Sequence, residues 1–195
     1  MNRIDSINKA LKDFAATDTV KHMEVGFGGG KVPQHIVDFY IKGQNHFAFL
    51  LGCLYDQKRT AEVVWQIPYN LHEMIGHLDP ILISDMSVDD LMAYMNQLPN
   101  KPRYPKMMAV WTVQAAQRVI KYYHSHTENI WADLPSCSEV RRRFQQFNGM
   151  GQKKAAMATE ALVKKFNMPL KDRSGLDIAA DSLVIRVFKR CMRIC

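Results

Sequence analysis

Residues 147–155 read Phe-Asn-Gly-Met-Gly-Gln-Lys-Lys-Ala. Two glycines one residue apart let a chain reverse sharply with bare backbone N–H groups exposed. A helix that Ser136 or Ser138 can cap runs to Phe147 and leads into this turn, and residues 152–166 leave it with helical apolar spacing. The segment therefore predicts a tight turn between two helices. A turn that opens a helix N-terminus is a place to hold a phosphate. An ordinary helix–helix turn would use glycine equally well. Met150 is expected to point inward and anchor the turn, with Phe147, Ala155 and Leu162 in the core. Lys153 and Lys154 stand at the start of the second helix, where an amine could act on a bound polyanion.

The remaining sequence is helical in period almost throughout, so the fold class is all-α. Ile4, Ile7, Leu11 and Phe14 predict a short amphipathic helix, followed by a glycine-rich connector ending at Pro33. Residues 36–55 read as one or two apolar helices with Gly43 a candidate break, and residues 60–75 as a helix kinked or interrupted at Pro68. Ser87 is a good N-cap for residues 88–98, and Asp89 and Asp90 suit its first turn. Pro99, Pro102 and Pro105 mark a loop, residues 107–123 a long helix, and residues 167–176 a loop before a last helix. No strand pair or internal repeat stands out.

The net charge of +7 is unevenly placed. Residues 141–195 hold 13 Lys/Arg against 4 Asp/Glu, and residues 1–140 hold 13 against 15. The positive excess accompanies the glycine turn, as a polyanion site requires; a solvated basic face is the plainer reading. No apolar run is long enough to span a membrane, and the N-terminus has polar residues where a secretory signal would be apolar. Cys53, Cys137, Cys191 and Cys195 show neither zinc spacing nor a disulfide framework. These features predict a cytoplasmic protein, nucleoid-associated if bacterial, with no metal. Two near-motifs are set aside. His72-Glu73-Met74-Ile75-Gly76-His77 places its second histidine one residue too late for a zinc site on one helix face. Residues 26–32, Gly-Phe-Gly-Gly-Gly-Lys-Val, lack the spacing of a nucleotide loop.

The pattern hydrophobic-x-Gly-hydrophobic-Gly-x-Lys-x-Ala resembles the helix-hairpin-helix of the endonuclease III-like DNA glycosylases. That family's lysine falls two residues after the second hairpin glycine, here Lys153. Its aspartate falls in a segment similar to residues 180–187, Ala-Asp-Ser-Leu-Val-Ile-Arg-Val, here Asp181. Residues 54–57, Leu-Tyr-Asp-Gln, are similar to the family's Leu-Ser-x-Gln, here ending in Gln57. The resemblance covers roughly residues 45–190. It implies a two-lobed helical bundle, with a helical barrel domain over residues 20–166 and a smaller lobe from residues 1–19 plus 167–195.

The resemblance further implies base excision with AP-lyase activity on double-stranded DNA carrying a damaged base or an abasic site, by a monomer. Lys153 would be the nucleophile, attacking the sugar C1′ to give a Schiff base. Asp181 would stabilise charge on the sugar or take a proton from Lys153; it could equally cap the last helix, with Asp177 as the rival cap. Gly149, Met150, Gly151, Gln152 and Lys154 would contact the DNA, and Gln57 would fill the gap left by a flipped base. Cys191 and Cys195 are too few for the family's four-cysteine iron–sulfur cluster, so no cofactor is expected. The chain ends 14 residues after Asp181, Asn148 stands where proline is common, and Ser182-Leu183 replaces the usual residue-His pair. The competing readings are a helix-hairpin-helix DNA-binding protein without catalysis and a helical adaptor with a basic patch for an acidic partner.

Overall fold

A computed structural model describes residues 5, 9 and 32–172. The protein is all-α: the described residues form eight α-helices and no strand. In chain order they are α1 (Gln34–Ile41), α2 (His46–Tyr55), α3 (Ala61–Ile75), α4 (Pro80–Asp85), α5 (Val88–Gln97), α6 (Pro105–Tyr123), α7 (Cys137–Phe144) and α8 (Gln152–Lys164). A short 3₁₀ helix, Thr127–Ile130, joins α6 to the approach to α7. The predicted first helix apart from Asp5 and Lys9, the predicted last helix, the glycine-rich connector up to residue 31, Asp177, Asp181, Cys191 and Cys195 lie outside the described residues.

Helix α2 is the axis of the core. Every residue from Phe47 to Tyr55 is buried, as expected of a helix apolar all round. It packs against α1, α3, α6, α8 and the 3₁₀ helix. Gly52 makes one of these contacts possible, because a Cβ there would fall into the Trp65 ring on α3. Phe49 stacks on Trp65 and meets Trp131, Phe144 and Phe166 edge-on. The polar ends of the buried aromatics are satisfied. Tyr40 donates to the Trp65 carbonyl at 2.6 Å, and the Tyr55 hydroxyl shares a 2.7 Å hydrogen bond with Thr112 on α6.

The capping chemistry resolves the helix starts. Ser87 accepts from the Asp90 N–H at the head of α5, and Ser136, not Ser138, accepts from the Glu139 N–H at the head of α7. The break between α1 and α2 falls at residues 42–45, around Gly43. Helix α3 runs through the buried Pro68 without ending, and it stops at Gly76, whose φ is +88°. Helix α7 stops at Phe144, three residues short of the expected Phe147, because residues 145–150 wind into the turn. Helix α4, begun by the Asp79 cap and Pro80, and the 3₁₀ helix have no counterpart in the sequence reading.

Candidate nucleic-acid interface

The turn between α7 and α8 is closed by its own backbone. Phe147 N–H donates to the Phe144 carbonyl and Met150 N–H to the Phe147 carbonyl, each at 3.0 Å. Met150 points inward, 3 % exposed, and Phe147 is buried beside it. Asn148 donates to Gln114 on α6 at 2.8 Å, which ties the turn to the long helix.

The two glycines serve different purposes. Gly149 has φ +83°, a conformation glycine adopts without strain, and a Cβ there would collide with the Trp111 ring of α6. The fold itself demands this glycine. Gly151 has φ −75° and ψ 177°, ordinary extended backbone, and a Cβ there would meet nothing within 4 Å among the described residues. The fold does not demand it. Gly151 is exposed at the head of α8, where bare backbone permits close approach by a ligand.

Lys153 is exposed on the first turn of α8 beside Gln152, which is exposed as well. Lys154 is the opposite case. It was expected among the DNA contacts, but it is only 8 % exposed, and its amine donates to the Leu54 carbonyl at the end of α2 at 2.6 Å. That side chain points into the protein, so it does not present an amine at the surface. The same amine sits 5.8 Å from the centre of the Trp111 ring. Burial pushes its pKa down to about 8, against the pull of the neighbouring Asp56 carboxylate. Met150 has a corresponding limit, since its side chain and its N–H are both used inside the turn.

Gln57 is half-buried just beyond α2, and its N–H donates to the Tyr55 carbonyl at 2.7 Å. Lys154 thus brings the segment carrying Gln57 onto the helix carrying Lys153. Asp181, the remaining expected partner, lies outside the described residues.

The basic residues around the turn divide into paired and unpaired charge. Arg143 grips Asp133 through two hydrogen bonds, 2.6 and 2.8 Å, and also reaches Glu139 at 2.9 Å. Arg142 binds Glu139 at 2.7 and 2.8 Å. Together they hold the Glu139 carboxyl down at about 2. These ion pairs fasten α7 internally and offset part of the charge imbalance of the sequence; Arg143 is largely buried by them, while Arg142 stays exposed. Arg118 on α6 contrasts with them. Its guanidinium lies 4.6 Å from the Tyr122 ring centre and 5.6 Å from that of Phe147, and it donates to Gln146 beside the turn. No carboxylate among the described residues pairs with it. Tyr122 is 54 % exposed, and Lys121 also lies over its ring.

Sequence reasoning missed Trp111 and Arg118. Both lie on the α6 face that receives the turn, and that contact is made across more than 25 residues of chain. An open cavity of about 510 Å³ lies at the other end of α2, lined by His46, His77, Thr127 and Glu128, with no residue of the glycine turn. No family model matches the chain, and neither a curated protein nor a solved structure matches it.

Proposed function

We propose that this protein is a base-excision DNA glycosylase with AP-lyase activity, using the turn at residues 147–151 as a helix-hairpin-helix on the DNA backbone. The observation that carries the reading is the asymmetry of the two glycines. Gly149 is needed to seat the turn on Trp111, whereas nothing among the described residues accounts for Gly151. A phosphate approaching the head of α8 does account for it. Lys153, exposed two residues past Gly151, is the surface amine beside that phosphate in this reading.

The chemistry follows from an amine so placed. The Lys153 nitrogen attacks C1′ and the base leaves with the glycosidic electron pair; the attached nitrogen loses a proton, and its lone pair then expels O4′ from C1′, so the sugar ring opens to the iminium while O4′ takes up a proton. The iminium acidifies the adjacent sugar proton, and its removal expels the 3′ phosphate by β-elimination. Asp181 supplies the carboxylate that stabilises the sugar cation or relieves Lys153 of its proton. Asp181→Asn should slow excision roughly 10²-fold or more while leaving helix capping nearly intact. Near-normal excision with an unchanged melt would remove Asp181 from the mechanism.

The direct test is single-turnover cleavage of an abasic-site duplex. The wild type should cut it, and Lys153→Gln should not, although it should still bind. Salt-dependent binding of duplex without cleavage or trapping by the wild type would favour a non-catalytic binding protein instead.

A further inference from the structure

We infer that Lys154 is a positioning residue: its ammonium holds the C-terminal end of α2, and with it the Asp56–Gln57 turn, against the first turn of α8 that carries Lys153. The inference rests on the proposed excision reaction for its consequence, but its geometry is independent of that reaction.

A lysine amine is rarely taken out of water without a strong reason. Here the Lys154 amine crosses from the head of α8 to the Leu54 carbonyl at 2.6 Å. Leu54 belongs to the last turn of α2, where backbone carbonyls lack intrahelical donors and carry partial negative charge. An ammonium is the complement of such an end. The contact spans 100 residues of chain, so it joins two parts of the molecule that no local structure would register. Three residues past Leu54 stands Gln57, and the neighbour of Lys154 is Lys153. The group expected to fill the vacated base position and the group expected to attack the sugar are therefore held in register by one buried charge.

Among the described residues, the groups facing the amine are few. Asp56, just past α2, attracts it; Lys153 on α8 repels it; and the Trp111 ring lies under it from α6. The Cys53 thiol on α2 is buried, which pushes its own pKa up and keeps it neutral. With these neighbours Lys154 keeps its charge at neutral pH and loses it as pH rises through about 8. The neutral amine lacks the charge that attracts both the helix end and Asp56. Excision by the wild type should therefore decline on the alkaline side of about pH 8. Folding stability should move the other way. The unfolded lysine keeps its proton up to about 10.5, so between these values the unfolded state binds more protons, and the Lys154 contribution to stability rises with pH. A merely structural lysine would not make activity fall while its stability contribution improves.

The experiment follows single-turnover excision and duplex affinity from pH 6 to 10 for the full chain, Lys154→Arg and Lys154→Met. Lys154→Arg, which stays charged, should lose the alkaline decline and keep the rate. Lys154→Met should be slower by roughly tenfold at neutral pH, with no decline, at nearly unchanged affinity. Wild-type and Lys154→Met profiles of the same shape would overturn the assignment. A second readout does not need activity. The Leu54 carbonyl carbon, selected by ¹³C-leucine and ¹⁵N-tyrosine labelling of the Leu54–Tyr55 pair, should shift with a midpoint near pH 8 in the wild type and not in Lys154→Met. If the wild type cleaves nothing, the catalytic reading fails and this titration still decides whether Lys154 holds α2. A flat Leu54 signal overturns the inference even if the enzyme is active.

Discussion

Gly149 and Gly151 are two residues apart, but they make opposite demands on a substitution. Gly149→Ala requires a left-handed backbone and places a methyl in the Trp111 ring. It should cost about 2 kcal/mol or more and lower the melting temperature. Gly151→Ala has ordinary dihedrals and open space, so its stability should stay within about 0.5 kcal/mol of the wild type. Its duplex affinity should nevertheless fall several-fold, because the methyl occupies the approach to the head of α8. A Gly151→Ala protein that binds duplex as the wild type does would show that nothing comes close there. The same pattern bears on what could be read without coordinates. Two adjacent lysines look interchangeable in sequence, and their different fates are set by helix rotation. Position 154 faces α2 and position 153 faces out. No one-dimensional pattern reports which of two neighbours meets a carbonyl 100 residues away.

At the scale of the element, α7 is fixed by charge. Glu139 sits in its first turn and holds Arg142 and Arg143 in its last, while Arg143 also binds Asp133 before the helix and the Ile130 carbonyl. Because the Glu139 carboxyl lies near 2 when folded and near 4.5 otherwise, its stabilising contribution is complete above about 4.5. That contribution is lost as pH falls from there through about 2, where the unfolded state takes up the proton first. Glu139→Gln should flatten this part of the acid melt, measured by circular dichroism between pH 5 and 2; an unchanged acid profile would show that the arginines find other partners. Helix starts with a serine cap were legible, as Ser87 and Ser136 show, because the cap and its acceptor N–H lie three residues apart. The end of α7 was not. Phe147 continues the apolar spacing, but the chain closes its turn through the Phe144 carbonyl instead.

On the scale of the whole molecule, the described residues form one core around α2, with the glycine turn seated on the middle of α6. The all-α class was legible from periodicity, and the burial of α2 from its lack of any polar face. The seat itself was not, because Trp111, Gln114 and Arg118 meet the turn only through tertiary packing. Net charge was a coarse guide: Arg142 and Arg143 are paired with nearby carboxylates, while Arg118 has no carboxylate partner among the described residues. Duplex binding should therefore weaken steeply with salt, and Arg118→Gln should make the slope of log affinity against log salt shallower by about one. An identical slope for wild type and Arg118→Gln would place the DNA elsewhere on the surface.

The proposed excision requires Lys153 to form a covalent bond with the sugar. Borohydride reduction of the protein mixed with an abasic-site duplex tests it most directly, with the cross-link mapped by mass spectrometry. The expected result is a trapped complex at Lys153 that is lost in Lys153→Gln. A cross-link mapped to Lys154 in the wild type, or no trapped species at all, would contradict it.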